Sequence, residues 1–195
     1  MDKLRTVRGV NDLLPEVLDK HNQVIETALK LSNQYCYSQI ETPIFEFSEI
    51  FKKPLGISSD IVTKENYIFK DRSDDELMLR PEGTSGVVRA FLNAGLIQDV
   101  PKRFSYYGPM FRYERPQKGR LRQFHQFGCE VFGQASVYED ANIIMMLKDI
   151  LDFFKIGFKL QLNSLGCPSC MPQYKENLVK TLNSFKTELC EDCNR

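Results

Sequence analysis

Two strand-like runs joined by a basic loop, residues 103 to 133, constrain the fold more than any other part of the chain. The stretch reads RFSYYGPMFRYERPQKGRLRQFHQFGCEVFG. Side-chain alternation along a strand places Arg112 and Glu114 on the same face of the first run. The loop at residues 115 to 122 carries four cationic side chains, which suit a polyanion, and Gly119 allows a tight turn. We therefore expect an antiparallel hairpin with chemistry at its surface.

The second run places an amide and a carboxylate on either side of a glycine. Gln126, Gly128 and Glu130 share one face by alternation, and the glycine leaves room above the sheet. If that face meets the face of Arg112, one surface presents a cation, an amide and two carboxylates. The alternative is an exposed ribbon with a solvated polar face. A binding surface is favoured, because a solvated face needs neither a central glycine nor a guanidinium beside carboxylates.

A second candidate site is RPEGTSG, residues 80 to 86, where a predicted strand runs into a helix. Gly83 allows close approach of a ligand, and Thr84 or Ser85 is predicted to cap the helix. Glu82 has one simple structural explanation, a favourable interaction with the helix N-terminus, and taken alone that explanation is preferred.

The remaining periodicities predict an α+β domain. Helices are expected over residues 16–37, 47–53, 139–155 and 173–185, with another after Thr84. Strands are expected over 38–46, 67–70, 76–80 and 158–163. Pro43 inside the first of these strands assigns it to an edge or an interface.

Composition narrows the class of protein. The 195 residues include 26 basic and 26 acidic side chains, so any contact with nucleic acid must be local rather than a general basic field. No apolar run reaches membrane-spanning length, and the N-terminal residues lack the apolar core of a secretory signal. We expect a cytoplasmic protein that makes no use of a membrane.

Four cysteines near the end form two CxxC pairs, Cys167 with Cys170 and Cys190 with Cys193. Two such pairs at this separation match structural zinc sites, and cytosolic cysteines favour thiols or metal ligands over disulfides. Spacing alone therefore favours zinc, although the second pair lies within a few residues of the end of the sequence.

Together these groups predict a pocket with carboxylates for a cationic ligand group and Arg112 for an anionic one. A zwitterionic amino acid beside a nucleotide fits that description. Arg112 could hold a phosphate and stabilise charge that develops on it.

The same residues carry a family resemblance. FRYE at 111–114, the loop RPQKGRLR and the following QFHQFGCEVFG resemble the second signature motif of class II aminoacyl-tRNA synthetases, in the form found in bacterial histidyl-tRNA synthetases. FRxE is shared across class II enzymes, whereas RPQKGRxRQFHQ is specific to the histidine enzymes. The resemblance extends to RGVNDLLP, IETPIFE, LRPEGT, NSLGCPSC and LCEDC, and covers essentially the whole chain.

The resemblance implies residue roles. Arg112 is the implied catalytic residue, which binds the ATP α-phosphate and the carboxylate side of histidine. The residues implied to bind histidine are Glu82, Gly83, Thr84, Arg112, Gln126 and Glu130. The residues implied to bind ATP are Arg112, Glu114 and Arg120. Within the first group, Glu130 is implied to bond the imidazole, and Glu82, Thr84 and Gln126 to hold the amino group.

The resemblance also implies an architecture. The expected fold is a class II antiparallel sheet flanked by helices, with residues 1–163 forming the N-terminal part of the catalytic core and 164–195 the start of a small insertion domain. The expected partners are histidine, ATP with Mg²⁺, tRNA(His) and a second copy of the chain bound through the region around Pro43. The family is not generally zinc-dependent, so the expectation becomes no metal, with zinc at the four cysteines the minority interpretation.

The sequence lacks the third class II motif, the tyrosine-rich GLDYY-type segment and the anticodon-binding domain. We therefore expect an N-terminal fragment that does not form histidyl-adenylate alone. Two alternatives remain. One is a non-catalytic paralogue that binds histidine as the regulatory subunit of ATP phosphoribosyltransferase, and the other is a zinc-stabilised RNA-binding module. Intact Arg112, Glu114 and Arg120 argue against the regulator, which needs no nucleotide residues.

Overall fold

The structure, a computed structural model, describes residues 4–55, 65–115, 117–164 and 166–190. The helices are α1 (Pro15–Gln34), α2 (Glu49–Leu55), α3 (Thr84–Asn93), α4 (Val137–Phe153) and α5 (Met171–Ser184). The strands are β1 (Ser38–Gln39), β2 (Phe45–Phe47), β3 (Ile68–Lys70), β4 (Glu76–Leu79), β5 (Lys102–Phe111) and β6 (Gln123–Phe132).

The predicted hairpin is confirmed as the longest strand pair among the described residues. β5 and β6 pair antiparallel from Lys102 opposite Phe132 to Phe111 opposite Gln123. β1 extends this sheet on the other side of β5, with Ser38 opposite Phe104, and this pairing is parallel. The expected fold class is confirmed, with one parallel pair added to an otherwise antiparallel arrangement.

A second sheet has the order β2–β4–β3, and all its pairs are antiparallel. The single strand expected over 38–46 is instead two short strands, β1 and β2, on either side of Pro43, which has no N–H to donate to a ladder. Arg80 connects the two sheets. Its carbonyl accepts a 2.9 Å hydrogen bond from the N–H of Phe111, and its buried guanidinium donates to the carbonyls of Thr42 and Pro109, each at 2.8 Å.

Helices cover both faces of the hairpin. On the face of Phe127 and Cys129, α1 and α4 form a core whose buried members are Ala28, Tyr37, Met146 and Ile150. On the opposite face, α3 packs over Tyr106 and Met110 through Val87. That second face carries Gln126 and Glu130, so α3 directs its N-terminus to the predicted site.

The prediction of a strand over 158–163 is wrong, because the described residues form no hydrogen-bonded strand pair there. Its alternating apolar side chains Phe158, Leu160 and Leu162 are 47%, 53% and 76% exposed. A strand persists only where a neighbour completes its backbone hydrogen bonds.

The chain divides into two compact units, Met1–Gly157 and Phe158–Arg195, and the assignment of 164–195 to an insertion domain stays a prediction. Within the described residues, every helix is too short or too polar to cross a bilayer.

Candidate functional site

A carboxylate on β6 meets the first turn of α3. The Thr84 hydroxyl donates a 2.7 Å hydrogen bond to Glu130 Oε1, and the Tyr106 hydroxyl donates to the same oxygen at 3.3 Å. Burial raises the pKa of Glu130, and these two hydrogen bonds oppose the rise. Burial also raises the pKa of Tyr106 to about 12, so the phenol remains a donor at neutral pH. The cluster holds one half-buried carboxylate ready for a cationic or N–H-bearing ligand.

Glu82 lies beside this cluster and caps α3. Its carboxylate accepts hydrogen bonds from the N–H groups of Thr84 at 2.5 Å and Ser85 at 2.9 Å. The prediction that Thr84 or Ser85 caps the helix is therefore wrong. Gly83 occupies the N-cap position without a side-chain bond, and the carboxylate of Glu82 replaces the usual hydroxyl. The structural explanation of Glu82 thus accounts for its position, and its negative charge also contributes to the raised pKa of Glu130.

Tyr106 fills the space beside the two glycines of the site. A Cβ atom on Gly83 or on Gly128 would collide with its ring. The room predicted above Gly128 is therefore taken by an aromatic side chain in this structure. Both glycines are required for close packing of α3 against the hairpin, and Tyr106 forms the floor between Glu130 and Gln126.

Arg112 lies just beyond β5 and is held from two sides. Its Nε donates a 2.9 Å hydrogen bond to the Pro81 carbonyl, and its guanidinium lies 5.0 Å from the Phe124 ring centroid. Nη1 is 4.0 Å from Glu114 Oε1. The guanidinium is therefore fixed through Nε, and Arg112 lines the adjoining cavity with a planar cationic group that suits a carboxylate or phosphate anion.

An open cavity of about 420 Å³ adjoins Arg112. Its lining includes Arg112, Glu114, Gly119, Arg120 and Leu121. Arg120 Nη1 lies 3.4 Å from Glu114 Oε2, yet that buried oxygen accepts no well-formed hydrogen bond from any described residue. The cavity is thus lined by the cations Arg112 and Arg120 and by a Glu114 carboxylate oxygen that lacks a hydrogen-bond donor among the described residues. Such a lining suits a nucleotide, whose phosphates are anionic and whose base carries N–H groups.

Gln126 lies between the two groups along β6. Its buried Oε1 has no hydrogen-bond partner within the described part of the chain. A buried acceptor without a donor is costly, so a ligand N–H would be stabilising at this point. From Phe124 under Arg112 to Glu130, β6 advances about 20 Å, which is long enough for two small ligands side by side.

The sequence of this chain matches a known protein family over most of its length. A sequence model described as histidyl-tRNA synthetase matches residues 9–172. The chain belongs to the histidyl-tRNA synthetase family. It is 54% identical over 193 residues to a histidine–tRNA ligase of Sulfurovum sp. (strain NBC37-1), with coverage of 98% of this chain and 48% of the relative.

Two solved structures share the fold of this chain. Apo S. aureus histidyl-tRNA synthetase matches with a TM-score of 0.75 and 34% identity over 98% of this chain and 45% of that chain. A Bacillus halodurans C structure described as an ATP phosphoribosyltransferase regulatory subunit/histidyl-tRNA synthetase shares the fold, with a TM-score of 0.68 and 22% identity over 80% of this chain and 40% of that chain. The chain thus spans about half the length of the synthetase relatives it matches.

The structure groups the residues implied by the synthetase resemblance into two sets. Glu82, Thr84 and Glu130 form one set with Gly83, and Arg112, Glu114 and Arg120 form the other. Gln126 lies between them. The sequence analysis did not include Tyr106 among the site residues. Alternation from Gly108 is the signal that places its side chain on the site face, and in the structure it lies opposite Gly128.

The two CxxC pairs of this synthetase-family chain differ in what the structure describes. Cys167 and Cys170 lie together, with their sulfur atoms 3.3 Å apart, whereas Cys193 lies outside the described residues. No three His, Cys, Asp or Glu side chains in the described segments converge on one possible metal position.

Proposed function

We propose that this chain supplies part of the active site of a histidine–tRNA ligase. In the first step, a carboxylate oxygen of histidine attacks the α-phosphorus of ATP and pyrophosphate leaves. In the second step, a hydroxyl oxygen of the 3′-terminal ribose of tRNA(His) attacks the carbonyl carbon of the adenylate, the hydroxyl proton is lost, and AMP leaves. The observation that supports this most is the placement of a half-buried carboxylate and a fixed guanidinium on one face of the same hairpin, with an unsatisfied amide oxygen between them.

Histidine would lie over the α3 end of the hairpin. Its protonated amino group would donate to Gln126 Oε1 and face the charge of Glu82, while Glu130 would accept from an imidazole N–H. Thr84 supports this set because its hydroxyl already orients Glu130 at 2.7 Å. A site built from hydrogen-bond acceptors discriminates strongly against amino acids that lack the matching N–H groups.

ATP would occupy the cavity beside Arg112. The Nη groups of Arg112, of which Nη1 also lies 4.0 Å from Glu114 Oε1, would contact the α-phosphate and stabilise negative charge as the phosphorus is attacked. Glu114 would accept an N–H of the base, and Arg120 would offset phosphate charge. Mg²⁺ bound to the ATP phosphates would offset their negative charge.

The chain would work as a homodimer in the cytoplasm. Ile44 and Phe45, directly after Pro43, are about half exposed, and the Phe45 and Phe69 rings lie 6.3 Å apart on the same sheet. An exposed apolar patch of this kind suits a protein interface. Because the relatives are about twice as long, the 195 residues alone should not catalyse histidine-dependent pyrophosphate exchange.

A second candidate is the histidine-binding regulatory subunit of ATP phosphoribosyltransferase. The shared fold with the Bacillus halodurans C structure favours it, although 22% identity supports only the fold. The intact nucleotide residues favour the ligase. The zinc-stabilised RNA-binding module receives no such support.

Measuring ATP and histidine binding by calorimetry, for the chain and for Arg112→Ala, separates these functions. The ligase predicts that both ligands bind and that the variant loses ATP. Histidine binding without ATP binding would indicate the regulator. If neither ligand binds to a folded chain, the proposal is wrong.

A further inference from the structure

Cys170 is the N-cap residue of α5, and Cys167 lies three residues before it. Both side chains are exposed, and their sulfur atoms are 3.3 Å apart. Both cysteines are free, and a disulfide bond of about 2.05 Å would require their sulfur atoms to approach each other by little more than 1 Å. Gly166, with φ of +78°, allows the chain to turn just before Cys167, and a Cβ at Gly166 would lie 3.0 Å from the Cys170 sulfur.

Hydrogen bonds around Cys167 stabilise its thiolate. The Ser169 hydroxyl lies 2.9 Å from the Cys167 sulfur. This contact, the neighbouring Cys170 thiol and the backbone N–H groups of Ser169 and Cys170 lower the pKa of Cys167 to about 7. A thiolate at neutral pH is the nucleophile in disulfide exchange. Cys129 provides a contrast inside the same chain, since burial raises the pKa of its thiol to about 12.

We propose that Cys167 and Cys170 form a reversible dithiol–disulfide couple that exchanges with small-molecule disulfides of the glutathione type. The thiolate of Cys167 attacks one sulfur of the small disulfide, forms a mixed disulfide and releases one thiolate. The thiol of Cys170 then loses its proton and attacks the Cys167 sulfur. The internal disulfide forms, and the second small thiol leaves with that proton. Two electrons pass from the protein pair to the small disulfide, and a small dithiol reductant reverses both steps.

Several features favour this role over a purely structural one. Structural cysteines are buried and inert, whereas both members of this pair are exposed. The attacking and resolving thiols are already adjacent, so the second step needs little movement. The proposal does not depend on the ligase function, because it rests only on residues at the start of α5.

The test uses the chain with Cys190 and Cys193 replaced by serine, so that only the first pair can close. After treatment with excess glutathione disulfide and acid quenching, the peptide containing residues 167–170 should lose two hydrogen atoms and carry no glutathione. Dithiothreitol should restore it. The Cys170→Ser variant should stop with glutathione attached to Cys167. The control in the same sample is the reaction of glutathione disulfide with Cys36, which is also exposed but lies in the other compact unit, outside this pair.

Rates give an independent test. At pH 7, Cys167 should react about threefold faster than an unperturbed cysteine peptide, since its larger thiolate fraction outweighs its lower intrinsic nucleophilicity. Ser169→Ala should slow the reaction and raise the pH midpoint. The proposal fails if Cys167 keeps its glutathione while Cys170 is present, or if neither cysteine reacts. It also fails if the purified chain holds zinc that must be removed before this pair oxidises.

Discussion

Thr84 Oγ1 donates a 2.7 Å hydrogen bond to Glu130 Oε1, so the first turn of α3 holds the carboxylate of β6 in place. This contact joins two segments that are 46 residues apart in sequence. It also keeps a half-buried acid hydrogen-bonded in the absence of any ligand. The preorganised carboxylate is the feature on which the proposed recognition of the imidazole depends.

Glu130→Gln tests how much the half-buried negative charge of Glu130 lowers the free energy of unfolding. A raised pKa in the folded state means that the stabilisation from proton binding is complete below the unfolded pKa and is lost as pH rises through the folded value. The unfolding free energy of the native chain should therefore fall relative to Glu130→Gln as pH increases from about 4 towards 7. Urea denaturation at several pH values measures this difference. A difference that is constant with pH would contradict the raised pKa.

The same variant should bind histidine about 10- to 100-fold more weakly, because a charge-assisted hydrogen bond contributes about 1.5–3 kcal/mol. Calorimetry provides the measurement. Unchanged histidine affinity would remove Glu130 from the proposed site.

Gly128→Ala tests the packing of Tyr106. The new methyl group would collide with the Tyr106 ring, and overpacking of this kind costs about 1–3 kcal/mol. Gly157→Ala is the matched control, since no heavy atom of the described residues, apart from its own chain neighbours, lies within 4 Å of the corresponding position. Adding Tyr106→Phe to Gly128→Ala should recover part of the lost stability, because the phenolic oxygen is among the colliding atoms. Equal urea midpoints for Gly128→Ala and Gly157→Ala would contradict the close packing.

Arg112→Lys tests the fixed guanidinium. Lysine keeps the charge, but it loses the Nε bond to Pro81 and the planar fork, so ATP affinity should fall about tenfold or more. Arg72→Lys, on the exposed turn between β3 and β4, is the control and should bind ATP as the native chain does. If both substitutions leave ATP affinity unchanged, the α-phosphate assignment to Arg112 is wrong.

The two histidines of the chain meet behind the hairpin, on the face opposite Gln126. The ring centroids of His21 and His125 are 4.4 Å apart, and the Tyr107 hydroxyl lies 3.2 Å from His21 Nε2. Burial, with smaller contributions from His21 and Arg80, lowers the pKa of His125. A lowered pKa stabilises the fold above the unfolded value of about 6.5, and this contribution is lost as pH falls through the folded value.

The unfolding free energy should therefore decrease from about pH 7 to pH 5 more steeply in the native chain than in His125→Asn. His21→Asn serves as the second variant, since it removes the neighbouring imidazole and should weaken the effect in part. Parallel pH profiles for the native chain and His125→Asn would show that His125 titrates normally.

Sequence periodicity predicted the secondary-structure elements that depend mainly on residues close together in the chain. Alternation identified the hairpin and the shared face of Gln126 and Glu130, because successive side chains of a strand point to opposite faces of the sheet. It did not reveal that the ring of Tyr106 fills the space beside Gly128, since that contact depends on how α3 packs.

Two other features depended on distant partners. The role of Arg80 as a buried link between sheets needs Thr42 and Pro109, which no periodicity associates with it. The run at 158–163 has the alternation of a strand, but in the described residues no neighbour pairs with it. Strand formation is a property of a pair, so a single run cannot specify it.

The proposed arrangement places histidine at the α3 end and ATP at the Arg112 end of one hairpin face. NMR titration of an isotope-labelled chain with each ligand separately, following side-chain and amide signals, distinguishes the two positions. Histidine should shift signals of Thr84, Gln126 and Glu130, and ATP should shift those of Arg112, Glu114 and Arg120. If the two ligands shift the same set, or shift only residues outside both sets, the two-site arrangement is wrong.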